Sequence, residues 1–147
     1  GYRPAGRHTH ESRLRMIHHL SLGVTDIERA AAFYDAALAP LGYVRVWSDL
    51  RPGEPNQAAG YGVPGGGDTL ALKHRPERQQ PPGPGFHLAF AAPDPHAVEE
   101  FYRAALRHGA KDDGAPGLRA HYGPRYFAAF VVDPDGHKLE AVFNGER

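Results

Sequence analysis

The sequence has no cysteine among its 147 residues. That absence excludes a disulfide framework, a thiol nucleophile, a thiolate zinc site and an iron–sulfur cluster together. Neither sign of charge is in excess, with 17 Lys+Arg against 17 Asp+Glu, so the basic footprint of a nucleic-acid binder is missing. No apolar run approaches the roughly 20 residues that a membrane-spanning helix needs, and no apolar leader core precedes a cleavage site. Lysine is scarce: only Lys73, Lys111 and Lys138 accompany the arginines. These absences predict a cytoplasmic protein that meets a small molecule and neither nucleic acid nor membrane. Composition that is 41% hydrophobic and 23% charged suits one globular domain of this length. What the chain does have is ten histidines. Any metal it binds must be held by imidazole and carboxylate.

Residues 1–15 lack apolar periodicity and are read as a mobile tail. Order is predicted from Met16. An alternating apolar run over Ile17–Val24 reads as a strand, and Thr25-Asp26 as the cap of a helix over Ile27–Leu38. Ile27, Ala30, Ala31, Tyr34, Ala37, Leu38 and Leu41 give that helix one apolar face, and Pro40 and Gly42 stop it. Strands follow over Tyr43–Trp47, Gln57–Val63 and Thr69–Lys73. After a Pro-rich bridge over 75–85 the order repeats. A strand over Phe86–Ala91 leads to a helix near His96–His108, with Val98, Phe101, Tyr102, Ala105 and Leu106 as its inner face. Lys111–Asp113 is read as a brief strand before a Gly/Pro-rich loop. Two strands, Tyr126–Val132 and His137–Phe143, then flank the turn Asp133-Pro134-Asp135-Gly136.

Each half therefore reads strand, helix, three strands: module 1 over about 16–74 and module 2 over about 86–144, within a domain of 16–144. Both opening strands place a histidine seven residues before a helix-start aspartate: His19 before Asp26, and His87 before Asp94. Alternation puts His19 on a face with Ser21 and Gly23, and His87 with Ala89 and Ala91. Glu140 points away from Leu139, Ala141 and Phe143. Two imidazoles and a carboxylate can thus converge on one surface as three ligands, leaving open positions for substrate. Trp47, Tyr61, Tyr126 and Phe127 are candidate pocket walls. His137 follows a turn and is expected at the surface, while His108 suits a helix C-terminus.

Residues Ile17–Ile27 followed by Phe33-Tyr34, Phe86–Phe90, and Asp133-Pro134-Asp135-Gly136-His137-Lys138-Leu139-Glu140 resemble the vicinal oxygen chelate superfamily. That superfamily includes glyoxalases, bleomycin-resistance proteins, extradiol dioxygenases and fosfomycin-modifying enzymes. The resemblance implies an α+β fold of paired βαβββ modules forming an open, cupped barrel around a divalent metal. It places the metal ligands on His19, His87 and Glu140, with Fe, Mn, Ni or Zn as the cation and a homodimer as the assembly. The implied function is a metal-dependent lyase or dioxygenase acting on a substrate that chelates through vicinal oxygens. Two alternatives stand beside it: a metal-free drug-sequestering protein, and a fosfomycin-type thiol transferase. The family's fourth ligand position falls on Ala71, which cannot bind metal or act as a base; Lys73 and His74 lie close by. Where the extradiol pattern has tyrosine this chain has Phe130, with His121 in a suitable loop. The resulting candidates are Glu140 and His121 for catalysis. Ser21, Trp47, Tyr61, His74, Arg119, Tyr122 and Tyr126 are the candidates for substrate contact.

Overall fold

The computed structural model describes residues 15–77 and 81–145. The predicted tail, apart from Arg15, lies outside the described residues, as does part of the bridge. The chain runs β1 (Leu20–Val24), α1 (Ile27–Leu38), a 3-10 turn (Ala39–Leu41), β2 (Val44–Asp49), β3 (Ala58–Gly62) and β4 (Leu70–His74). It then repeats as β5 (Leu88–Ala91), α2 (Pro95–Arg107), β6 (Lys111–Leu118), β7 (Phe127–Val132) and β8 (Lys138–Phe143). Two four-stranded sheets result, ordered β1-β4-β3-β2 and β5-β8-β7-β6, with β1 parallel to β4 and β5 parallel to β8. The paired α+β modules are as expected. The two sheets do not close into a barrel, and β1 and β5 each have one unpaired edge among the described residues.

Both helices begin as the sequence predicts. Asp26 accepts from the Arg29 amide and Asp94 from the Ala97 amide, satisfying donors that a helix N-terminus leaves free. Pro95 fits the first turn of α2, where an amide hydrogen is not needed. The chain leaves the 3-10 turn through Gly42 at φ +95°, a conformation that a side chain would strain. All seven predicted apolar positions of the first helix region are buried, and Phe33 joins them. The face of α2 is rotated from the prediction: Ala97 and Ala104 are buried, whereas Leu106 is exposed. Small alanines let α2 approach its neighbours closely, which periodicity among large residues did not reveal.

Helices α1 and α2 touch each other and share one core with the inner faces of both sheets. The sheets therefore carry their outer faces away from the helices. The predicted loop after Asp113 is instead strand β6, continued through two register shifts around Gly114 and Pro116. An edge strand tolerates proline and bulges because one side of its ladder needs no partner.

A buried polar cluster ties the modules together. Asp133 accepts the Tyr34 hydroxyl at 2.5 Å and lies 2.9 Å from His137 Nδ1, while its other oxygen accepts the amides of Asp135 and His137. His137 is thus buried, not exposed as expected, because the turn folds it back onto its own first aspartate. Asp135 in turn accepts both the amide and the hydroxyl of Thr25, at the β1–α1 corner of the other module.

Candidate functional site

Residue His87 sits just before β5, and Glu140 lies on β8, paired with Ala89. Leu88, Leu139 and Ala141 turn into the core, so alternation aims His87 and Glu140 at the outer face. His87 Nε2 lies 2.9 Å from Glu140 Oε1. The carboxylate side chain is 1% exposed and the imidazole 50%, so a buried anion is reached through a half-open ring. The second carboxylate oxygen accepts the Tyr126 hydroxyl at 2.5 Å. Burial, reinforced by that carboxylate, pushes the Tyr126 phenol up to about 12, so it remains a donor at ordinary pH.

These groups border a cavity of ≈ 320 Å³ with Tyr122, Phe130 and Lys138. A ladder of rings leads outward: Tyr126 to Tyr122 at 5.2 Å, then Tyr122 to His121 at 4.2 Å between centroids. Arg119 stacks over Phe130 at 5.4 Å and donates to the carbonyls of Gly117 and Ala115, so its fork is largely engaged by β6 itself. Gly114 makes this stack possible, since a Cβ there would meet both Phe130 and Arg119.

The outer face of module 1 repeats the arrangement with different contents. Ser21 pairs with Ala71 as Ala89 pairs with Glu140, so Ala71 is the counterpart of Glu140. Gly60 pairs with Ala71 as Phe130 does with Glu140, and Trp47 lies on Gly60 where a Cβ would come within 2.3 Å of its indole nitrogen. His19 and Ser21 are exposed here, with His19 Nδ1 2.9 Å from His18 Nδ1. His74 falls on the opposite face, sharing its side of β4 with the core residues Leu70 and Leu72, and its Nδ1 is buried without a partner. Tyr61 is also a core residue, its hydroxyl 3.0 Å from the Ala31 carbonyl oxygen and 2.9 Å from Asp35.

Within one chain, then, His87 and Glu140 come together and His19 stands apart. Among the described residues no three His, Asp or Glu side chains form a group able to hold a metal. The sequence reading missed Tyr126 as the partner of Glu140, although both lay among its candidates. It also missed the Tyr34–Asp133–His137 cluster. The Asp-Pro-Asp-Gly turn was the available signal, but its reach into the other module is a tertiary contact.

A model of the Glyoxalase/Bleomycin resistance protein/Dioxygenase superfamily matches residues 16–141. A glyoxalase/bleomycin resistance protein from Albidiferax ferrireducens T118 is 28% identical at a TM-score of 0.71, over 89% of this chain and 100% of that one. Two further structures share the fold. A fosfomycin resistance protein from Listeria monocytogenes is 15% identical at TM-score 0.63, over 90% of this chain and 95% of that one. A glyoxalase I mutant from Zea mays is 24% identical at TM-score 0.64, over 86% of this chain and 46% of that one. No curated protein matches. No helix among the described residues is long and apolar enough to cross a membrane. The chain belongs to the glyoxalase/bleomycin resistance protein/dioxygenase superfamily.

Proposed function

We propose that the chain is a metal-dependent enzyme acting on a small substrate through two neighbouring oxygens. The cation is held by His87 and Glu140 of one copy and by His19 of a second copy. The observation that carries this reading is the 2.9 Å approach of His87 Nε2 to Glu140 Oε1 at the wall of an open cavity. Two ligands each about 2.0–2.2 Å from one cation, at roughly a right angle, stand about 3 Å apart, so the pair fits a shared metal. A divalent ion bound there supplies Lewis-acid polarisation of chelating substrate oxygens. Iron, manganese, nickel and zinc all accept imidazole and carboxylate.

The chain's own residues do the rest. Tyr126 fixes the rotamer of Glu140 and leaves its other oxygen toward His87. Ala71 offers no second carboxylate, so proton shuttling between two facing acids is not available to this site. His121 places an exposed imidazole at the outer end of the ring ladder, against Tyr122. Tyr126→Phe is expected to weaken Mn²⁺ binding by about 10–100-fold, the usual cost of losing a hydrogen-bond partner behind a ligand. Competition with a chelating dye measures it.

A second copy enters because, among the described residues of one chain, His19 does not join His87 and Glu140 in a group of three. The unpaired edges of β1 and β5 carry the two histidine faces, and two-fold pairing would cover both edges at once. His19→Ala and His87→Ala variants should each lose bound metal. Mixed and reannealed, they should recover about a quarter of the wild-type content, because half the dimers are mixed and each has one intact site. A mixture that stays empty, or a chain that remains monomeric by light scattering, overturns the shared site.

A further inference from the structure

The cavity beside His87 and Glu140 carries a charge that metal binding does not use. Lys138 lies two residues before Glu140 on β8, so its side chain leaves the same outer face, about 6–7 Å along the strand. It is exposed, it lines the cavity, and among the described residues it has no hydrogen-bond or ion-pair partner. Asp113 borders the same cavity from β6, two strands from β8, and does not pair with it.

The wall between the acid and the lysine is apolar. Across the ladder Glu140 meets Phe130 and Lys138 meets Val132, both on β7, and Phe86 borders the cavity from the chain that enters β5. His87 precedes Leu88, the register partner of Leu139, so it stands beside Lys138. A divalent ion at His87 and Glu140 would repel an ammonium this near, and an anion brought in by the ligand relieves that repulsion. The internal repeat shows that the fold does not require the charge: Ala71 corresponds to Glu140, so Lys138 corresponds to Thr69. A free ammonium beside a chelating site, with an apolar strip between them, suits a ligand that chelates at one end and is anionic at the other.

We infer that Lys138 selects substrates carrying a carboxylate or similar oxyanion a short hydrocarbon spacer away from their chelating oxygens. The inference rests on the reading of His87 and Glu140 as metal ligands, and it adds the charge and shape of the substrate.

The test is calorimetric titration of the full chain with 2-oxoglutarate and with 2-oxopentanoate. The two share the chelating oxygens and the carbon spacer, and only the first ends in a second carboxylate. Wild type, Lys138→Met and Lys138→Arg are each titrated with Mn²⁺ and after chelation, and bound Mn²⁺ is assayed in the same samples. Mn²⁺-loaded wild type should bind 2-oxoglutarate about fivefold or more tightly than 2-oxopentanoate, the effect of one charge-assisted contact at a partly open site. Lys138→Met should bring the two within about twofold by weakening only the dicarboxylate, at unchanged Mn²⁺ content, and Lys138→Arg, which keeps the charge, should retain most of the preference. Equal binding of the two compounds by loaded wild type, or a preference that survives Lys138→Met, overturns the inference and leaves the metal reading standing. Binding of neither compound, with or without Mn²⁺, also overturns it. A chain that takes up no Mn²⁺ yet prefers the dicarboxylate through Lys138 sinks the metal reading and supports Lys138.

Discussion

Asp133→Ala is expected to destabilise the protein by about 3–5 kcal/mol, the cost of removing one partner from a buried, hydrogen-bonded charge cluster. Asp133 is 3% exposed and serves four donors: the Tyr34 hydroxyl, His137 Nδ1, and the amides of Asp135 and His137. Alanine leaves all four inside the protein with nothing to accept them, and each buried orphan costs about 1–3 kcal/mol. The loss also has a pH signature. Burial alone would raise the Asp133 carboxyl, but hydrogen bonds and charge from His137, with the Tyr34 bond, hold it below the usual range. A carboxyl depressed in the folded state stabilises above its unfolded value of about 3.9, and that contribution disappears as pH falls through the folded value. Wild type should therefore lose stability below about pH 4 more steeply than Asp133→Asn, which cannot titrate there. Urea unfolding of the three proteins at pH 7 and at pH 3 measures both effects. Equal midpoints for wild type and Asp133→Ala at pH 7 would refute the cluster's role.

Loss of His87 is the larger functional effect. Among the described residues His87 carries the one imidazole in contact with the Glu140 carboxylate, so in His87→Ala Mn²⁺ affinity should fall beyond the roughly 100-fold attached to a merely supporting partner. Folding should hardly change, because the side chain is 50% exposed and borders a cavity instead of filling the core. The expected pattern is thus a protein of wild-type urea midpoint that retains no metal after gel filtration. Metal analysis beside the unfolding curve separates this from a folding defect. Wild-type metal content in His87→Ala would mean that the cation, if any, is held elsewhere. A wild type that never binds metal would favour the drug-sequestering alternative, whose ligand affinity a chelator leaves unchanged.

Much of the fold was legible because its signals are local. The caps at Asp26 and Asp94 act within three residues, and the alternation that aims His87 and Glu140 outward is a property of any strand. The family resemblance placed the fourth ligand position on Ala71, and the strand register then made Ala71 the counterpart of Glu140. Errors arose where distant chain decides. His137 looked exposed because a turn residue usually is, yet Asp133 and the body of the molecule enclose it. His74 looked near the site because it is near in sequence, but β4 turns it to the other side. Strand β6 looked like a loop because glycine and proline mark turns, and only its pairing with β7 shows an edge strand with bulges.

The absence of cysteine and the run of histidines restricted the chemistry to imidazole and carboxylate without reference to any structure. Sequence alone likewise determined two repeated modules and the faces on which His19, His87 and Glu140 lie, since side-chain period follows from backbone geometry. Tertiary structure decided which of those faces meet. Helix packing is a long-range choice made by apolar surfaces from both modules, and it put α1 and α2 between the sheets. His87 and Glu140, joined by one parallel strand pair, came together; His19, on the other sheet, did not.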